Sequence, residues 1–185
     1  MESCRRFVGQ ADGVCLGCNT GLFAELALNR GAEHVIGFDY DQGALEKAFR
    51  RAADKGLRFQ PLFLDAANPS PDQGWRQAER VGLARRDRPD ALIALALEHH
   101  LAIGRNVPLT EVVDWLTACA DRGIIEFVEK SDPRIQKMLM LREDIFQDYN
   151  KAAFEAALAA QARIIGAETI SGSGRTLYWY ERSAG

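Results

Sequence analysis

A chain of 185 residues, 47% hydrophobic and 26% charged, suits one globular domain, 1–185, large enough to bury a real core. Its 23 basic and 26 acidic side chains leave a net charge of −3, which gives no reason to expect a nucleic-acid partner. No apolar run approaches the ~20 residues of a membrane helix. Arg5 and Arg6 lack the apolar stretch of a signal peptide behind them, so a cytoplasmic location is the default.

After a short N-terminal segment, 1–12, the first predicted strand is Gly13–Leu16. The loop Gly17-Cys18-Asn19-Thr20-Gly21 follows it and opens a helix over Leu22–Arg30, marked by Leu22, Leu26 and Leu28. A second strand, His34–Phe38, ends in Asp39. Asp41 is the expected N-cap of a helix marked by Leu45, Ala48, Phe49 and Ala52. A third strand covers Arg58–Leu64. Asn68–Pro89 is loop-rich, with one short helix around Trp75–Val81. Its run Arg85-Arg86-Asp87-Arg88 reads as a solvated loop, because no aromatic is interleaved with the charges.

Ala91–Leu97 is unbroken apolar, as expected for a strand covered on both faces. A helix starts just after Pro108, marked by Val112, Val113, Leu116 and Ala120, and a strand follows over Gly123–Phe127. Asp132-Pro133 is a cap followed by proline at the first helical position. Asp132–Ala162 is strongly helical with a break at Phe146-Gln147-Asp148-Tyr149-Asn150. The strands Arg163–Thr169 and Thr176–Glu181 are separated only by Ser171-Gly172-Ser173-Gly174, so they form an antiparallel hairpin. The alternation ahead of that hairpin predicts βαβ units, a parallel sheet and right-handed crossovers.

Four cysteines are present: Cys4, Cys15, Cys18 and Cys119. Cys15 and Cys18 form a lone C-x-x-C, with no second pair to complete a metal site. Redox use is disfavoured too, because Cys15 lies inside the strand rather than at a helix start. The loop itself lacks the middle glycine of G-x-G-x-x-G, which lets a backbone approach a pyrophosphate, so a nicotinamide-dependent oxidoreductase is disfavoured. It also lacks the G-K-[ST] of a triphosphate cradle. It remains a tight turn that tolerates positive φ at Asn19 and suits an adenosine ligand without a pyrophosphate, such as S-adenosylmethionine.

The ordered motifs Leu16–Gly21, Gly37-Phe38-Asp39, Leu64-Asp65-Ala66 and Pro89-Asp90-Ala91 together resemble a class I S-adenosylmethionine-dependent methyltransferase. The resemblance covers about residues 11–181 and implies a three-layer Rossmann-like α/β fold. Its seven-stranded sheet would have strand order 3-2-1-4-5-7-6, an antiparallel C-terminal strand and helices on both faces. The stretches Ala94–Leu109 and Ile124–Pro133 are also similar to methyltransferase domains at the C-terminal end of larger bacterial proteins.

Position by position, the resemblance implies that Gly17, Cys18, Asn19 and Gly21 line the methionine part of the cofactor. Asp39 would accept the ribose hydroxyls, Tyr40 would lie near the adenine, and Asp65 would accept from the adenine amino group beside Ala66. Ala94, Leu95 and the residues to Leu97 would run past the transferring methyl. S-adenosylhomocysteine (SAH) would be the product. One departure is Asn19 at the middle glycine. Another is Cys15, where many family members carry an acid.

Methyl transfer to a hydroxyl or amine is helped by a base. Glu98, His99 and His100 directly follow the fourth strand and are the catalytic candidates; Glu126, Glu129 and Lys130 are second-tier. A [DN]-P-P-[FYW] motif is absent after the fourth strand, and no cysteine ends strand four or five, which favours a small-molecule acceptor. The short N-terminal segment offers little material for a lid, so three arrangements stand as alternatives: an open acceptor pocket, one shared with a second subunit in a homodimer, or one completed by an additional N-terminal domain. The competing reading is a binding module that keeps the cofactor but has lost turnover, motivated by Cys15 and the missing lid.

Overall fold

The computed structural model describes residues 12–86, 88–140, 143–170 and 174–182. The N-terminal segment with Cys4, Arg5 and Arg6 lies outside the described residues, as do Asp87 and loop residues 171–173. The chain divides into two compact units, 1–90 and 91–185.

The first unit contains β1 (Asp12–Leu16), α1 (Leu22–Leu28), β2 (His34–Asp39), α2 (Gln42–Lys55) and β3 (Phe59–Phe63). The three strands are parallel, with Cys15 beside Gly37 and Phe38 beside Leu62. Asp41 caps α2 as predicted: its Oδ1 accepts from Gly43 N at 2.8 Å and Ala44 N at 3.1 Å. Gly56, with φ 58°, ends the helix in the left-handed conformation that glycine adopts without strain.

The buried faces of both helices are alanine. Ala24 and Ala27 of α1 and Ala44, Ala48 and Ala52 of α2 are buried, so the helices lie close on the strands. Of the larger apolar residues that marked these helices in the sequence, Leu22, Leu26 and Phe49 are exposed, while Leu28 and Leu45 are half-buried. Leu22 is 48% exposed, Leu26 44% and Phe49 61%. Helical spacing found both helices, and Ala48 and Ala52 mark the buried face of α2; Leu22, Leu26 and Phe49 lie off the buried faces. Beyond β3, the expected helix around Trp75 is a 3₁₀ turn, Trp75–Gln77, broken by left-handed Arg76 and Gln77. A second 3₁₀ turn covers Leu83–Arg85, where the exposed Arg85 pairs with Asp72.

The second unit contains β4 (Ala91–Ala94), α3 (Glu98–Ala102), α4 (Leu109–Cys119), β5 (Arg122–Val128), α5 (Pro133–Leu139), α6 (Lys151–Gln161), β6 (Arg163–Ile170) and β7 (Arg175–Glu181). Strand β4 stops at Ala94 instead of continuing to Leu97. Ala96 takes φ 51°, and that left-handed residue turns the chain into the short helix α3. Asp132 caps α5 by accepting from Arg134 N at 2.8 Å. It also accepts from Arg175 Nε at 3.0 Å, and Arg175 reaches Glu126 Oε1 at 2.9 Å, so Glu126 is a buried structural ion pair. An aromatic core joins Phe127, Tyr149, Phe154 and Tyr178, with ring centroids 5.0–5.4 Å apart.

β4 and β5 are parallel; β7 is antiparallel to both β5 and β6, as the hairpin predicted. The seven strands lie in the order β3-β2-β1-β4-β5-β7-β6. Among the described residues no helix is long and apolar enough to cross a membrane.

Candidate functional site

The glycine loop is tied to the end of β2. Gly17 N and Cys18 N both donate to Phe38 O, at 2.9 and 3.0 Å, and Gly21 N donates to Cys18 O at 2.9 Å. The loop turns through three left-handed residues: Gly17 (φ 71°), Asn19 (φ 48°) and Gly21 (φ 80°). Asn19 takes the positive φ expected of it, and its Oδ1 accepts from Thr20 N at 2.8 Å.

Asp39 joins two loops through one carboxylate. Its Oδ2 accepts from Asn19 N at 2.7 Å and its Oδ1 accepts from Asp41 N at 2.9 Å. Each oxygen has two lone pairs, so the carboxylate can still receive hydroxyl donors at the carboxyl ends of β1 and β2. From the other side, Arg51 Nε donates to Thr20 O at 2.9 Å while its guanidinium pairs with Glu25 at 2.7 Å. Lys55 also pairs with Glu25, and these two cations hold the Glu25 carboxyl below its ordinary range.

Beneath the loop lies Phe59, only 6% exposed. A Cβ placed on Gly21 would come within 2.4 Å of this ring, and one on Gly37 within 2.5 Å. The loop therefore rests on an aromatic ring that fits only because both positions lack side chains.

Cys15 and Cys18 are buried and free. Burial, then the charges of Cys18 and Asp39, push the Cys15 thiol far up. Burial, then Asp39, push Cys18 up to about 12. Thiolate is the nucleophile and the metal ligand, so neither residue is poised for redox or metal chemistry near neutral pH. On brief treatment of the native chain with iodoacetamide at pH 7.5, Cys15 and Cys18 are expected to stay unmodified and to react after denaturation, as read by peptide mass spectrometry. Rapid native alkylation of either would contradict their burial.

At the ends of β2 and β3 stand two exposed rings, Tyr40 (61%) and Phe63 (54%), with centroids 5.6 Å apart. The sequence singled out Tyr40 and missed Phe63, although Phe59, Pro61 and Phe63 alternate on one face of β3. Leu64 N donates to Asp39 O at 3.0 Å, which brings the start of the next loop to the same corner. There Asp65 Oδ1 accepts from Ala67 N at 3.0 Å, fixing the turn through the half-buried Ala66. The first unit thus brings Gly17, Cys18, Asn19, Gly21, Asp39, Tyr40, Asp65 and Ala66 to the carboxyl ends of its strands. These residues fit an adenosine cofactor on three grounds: open acceptor capacity at Asp39, loop positions without side chains, and exposed rings beside the carboxylate.

In the second unit Ala94 is buried at the end of β4 and Leu95 is half-buried after it. The three catalytic candidates separate by burial. Glu98 (1% exposed) and His99 (0%) are inside, and His100 is exposed. Glu98 Oε1 accepts from Val128 N at 2.9 Å and from Tyr149 Oη at 2.7 Å, and Oε2 lies 3.2 Å from His99 Nδ1. Tyr149 Oη is also 2.7 Å from Val128 O. Burial first, then the charge of Glu98, hold this phenol well above its ordinary value, so Tyr149 is a neutral donor. Lys130 meets both oxygens of Asp144 at 2.9 Å, away from this carboxylate network.

No family model matches the chain. Over 170 residues it is 56% identical to the nodulation protein NoeA of Rhizobium meliloti (strain 1021), a match that covers 92% of this chain and spans 36% of that protein's length. Among solved structures it is similar to an S-adenosylmethionine-dependent methyltransferase from Mesorhizobium loti. There the TM-score is 0.66 and the identity 13%, over 98% of this chain and 96% of the other. Magnesium protoporphyrin IX methyltransferase (ChlM) of Synechocystis PCC 6803, solved with bound SAH, superposes with TM-score 0.65 at 18% identity, over 95% and 76%. WbdD matches with TM-score 0.65 at 16% identity, over 93% of this chain and 35% of that one. With the strand order and the loop geometry, these likenesses define the class: the chain has the Rossmann-like fold of class I S-adenosylmethionine-dependent methyltransferases.

Proposed function

We propose that the chain is an S-adenosylmethionine-dependent methyltransferase acting on a small-molecule acceptor. The observation that carries this reading is the Asp39 carboxylate. It holds the Asn19 N–H of the glycine loop on one oxygen and the Asp41 N–H on the other, where a ribose needs paired acceptors. In this reading Gly17, Cys18, Asn19 and Gly21 flank the methionine part, Tyr40 and Phe63 contact the adenine, and Asp65 with Ala66 meets its amino edge. Ala94 and Leu95 run past the reacting centre. The cofactor supplies an activated methyl group; the chain supplies placement and exclusion of water.

Calorimetric titration with S-adenosylmethionine and with SAH tests the reading. One-to-one binding is expected, with stabilisation by about 2.7 kcal/mol at ligand near 100 times Kd. Absence of both the binding heat and the thermal shift would falsify it.

Cys15 favours a second reading. Buried and neutral, it brings no charge toward a cofactor ammonium group, as expected of a binding module without turnover. Methyl transfer to any acceptor would dispose of that alternative.

A further inference from the structure

We propose that Arg51 is a positioning residue that holds the rear of the glycine loop in place for the amino-acid tail of the cofactor, and so sets affinity for the methionine part rather than for the adenosine. This inference rests on the methyltransferase reading. Its starting point is how the loop spends its hydrogen bonds. Gly17 N and Cys18 N donate to Phe38 O, and Asn19 N donates to Asp39, so the front of the loop is fastened to the end of β2. Thr20 N and Gly21 N donate within the loop, to Asn19 Oδ1 and Cys18 O. The polar bond that reaches this rear end from across the unit is Arg51 Nε on Thr20 O, at 2.9 Å and from 31 positions away on α2.

A left-handed loop needs such a fastening. Asn19 and Gly21 lie at φ 48° and 80°, and a non-glycine residue in that region persists only where its surroundings hold it. The Thr20 carbonyl and the Gly21 N–H share one planar peptide unit. Turning the carbonyl toward α2 therefore also fixes where the Gly21 N–H points and how the chain enters α1. A planar guanidinium suits the task. While Nε holds the loop, Nη1 donates to Glu25 Oε2 at 2.7 Å, so one side chain joins α2, the loop and α1. Lysine offers a compact ammonium on a flexible stem and no such fork.

The same contacts add little to the stability of the unit. Both helices already bury their alanines, and an ion pair partly open to water contributes little. Glu25 keeps Lys55 as its partner when Arg51 is replaced, so no carboxylate is left stranded. What Arg51 adds is placement. Asp39 and Tyr40, which meet the adenosine, are set by the end of β2 and do not depend on it. Thr20 and Gly21, beside the methionine tail, do.

Arg51→Met keeps the aliphatic stem and removes the fork; Arg51→Lys keeps the charge. Two ligands divide the site: SAH, and 5′-methylthioadenosine, which has the adenine, ribose and thioether but no amino-acid tail. By calorimetry, Arg51→Met is expected to weaken SAH about 10-fold and methylthioadenosine less than about 3-fold. Arg51→Lys should fall with Arg51→Met. Tm should drop by no more than about 4 °C in either variant. Amide exchange followed by NMR gives a readout without ligand. In Arg51→Met the Gly21 N–H should exchange about 10-fold faster than in the parent chain, while the Gly17 and Cys18 N–H groups, held by Phe38, keep the parent rate.

Unchanged SAH affinity in Arg51→Met overturns the proposal, and so do equal losses for the two ligands, which a merely structural role would give. Parent-like SAH binding by Arg51→Lys, or unchanged exchange at Gly21, overturns it as well. A parent chain that binds neither ligand overturns the methyltransferase reading itself, and the role of Arg51 toward the cofactor falls with it.

Discussion

Asp39→Ala is expected to weaken SAH binding on the order of 100-fold or more while leaving the fold in place. Two losses add. The ligand loses a charged acceptor for its ribose hydroxyls, and charge-assisted hydrogen bonds contribute about 1.5–3 kcal/mol each. The loop also loses the bond from Asn19 N at 2.7 Å, so its left-handed turn is left to the Phe38 and Cys18 carbonyls, the Asn19–Thr20 bond and Arg51 on Thr20 O. A total near 3 kcal/mol corresponds to the stated factor, since about 1.4 kcal/mol is tenfold. Thermal stability should change little, because Asn19 is exposed and its freed N–H can turn to water. Asp39→Asn should be nearly as damaging. Its single oxygen can serve Asn19 N or Asp41 N, and the amide NH₂ then faces the other donor. Isothermal calorimetry paired with a melting curve checks both halves. Full-strength binding by Asp39→Ala would remove Asp39 from the site.

The strand skeleton was legible because β-branched runs between glycine and proline punctuation encode it locally. All seven strands and the C-terminal hairpin appear where the sequence placed them, within a few residues at most ends. The errors have physical causes. In α1 and α2 the sheet is met by Ala24, Ala27, Ala44, Ala48 and Ala52, whose small size lets the backbones approach; the sequence markers include Ala48 and Ala52 but also the exposed Leu22, Leu26 and Phe49. β4 was read too long because Ala96 carries no local sign of its left-handed turn.

The site was half legible. Asp39 and the glycine loop follow from spacing along a short stretch. Tyr149 did not: its segment reads as a break between helices, and its meaning lies in a bond to Glu98 that only the folded chain makes. Phe59 and Arg51 were missed for the same reason. Each supports the loop from another element, across 38 positions for Phe59 to Gly21 and 31 for Arg51 to Thr20.

Gly37→Ala is expected to be a strongly destabilising one-carbon change in the first unit. Gly37 sits mid-strand with ordinary φ, so the cost is steric and not conformational. An added Cβ would lie 2.5 Å from Phe59 Cε2, 2.8 Å from Cys18 Cβ and 2.9 Å from Cys18 Sγ. Both neighbours are buried, so relief requires moving the ring that supports the loop or the loop residue itself. Overpacking of this kind costs about 1–3 kcal/mol, and with two obstructed neighbours the upper end is expected. For a chain of this size that lowers Tm by roughly 6–10 °C.

Phe59→Leu tests the cause. Alone it should cost about 1–2 kcal/mol by leaving a void beneath Gly21 and Gly37. Combined with Gly37→Ala, the smaller side chain makes room for the new methyl, so the double variant should be more stable than the sum predicts by about 1 kcal/mol. Rescue stays incomplete because Cys18 still obstructs the Cβ. Urea denaturation of the four proteins at equal slope measures the coupling. Strict additivity would show that Phe59 is not the obstruction. SAH affinity should fall with Gly37→Ala and recover only in part with Phe59→Leu, because displacing Cys18 moves the loop whose next residue, Asn19, is held by Asp39.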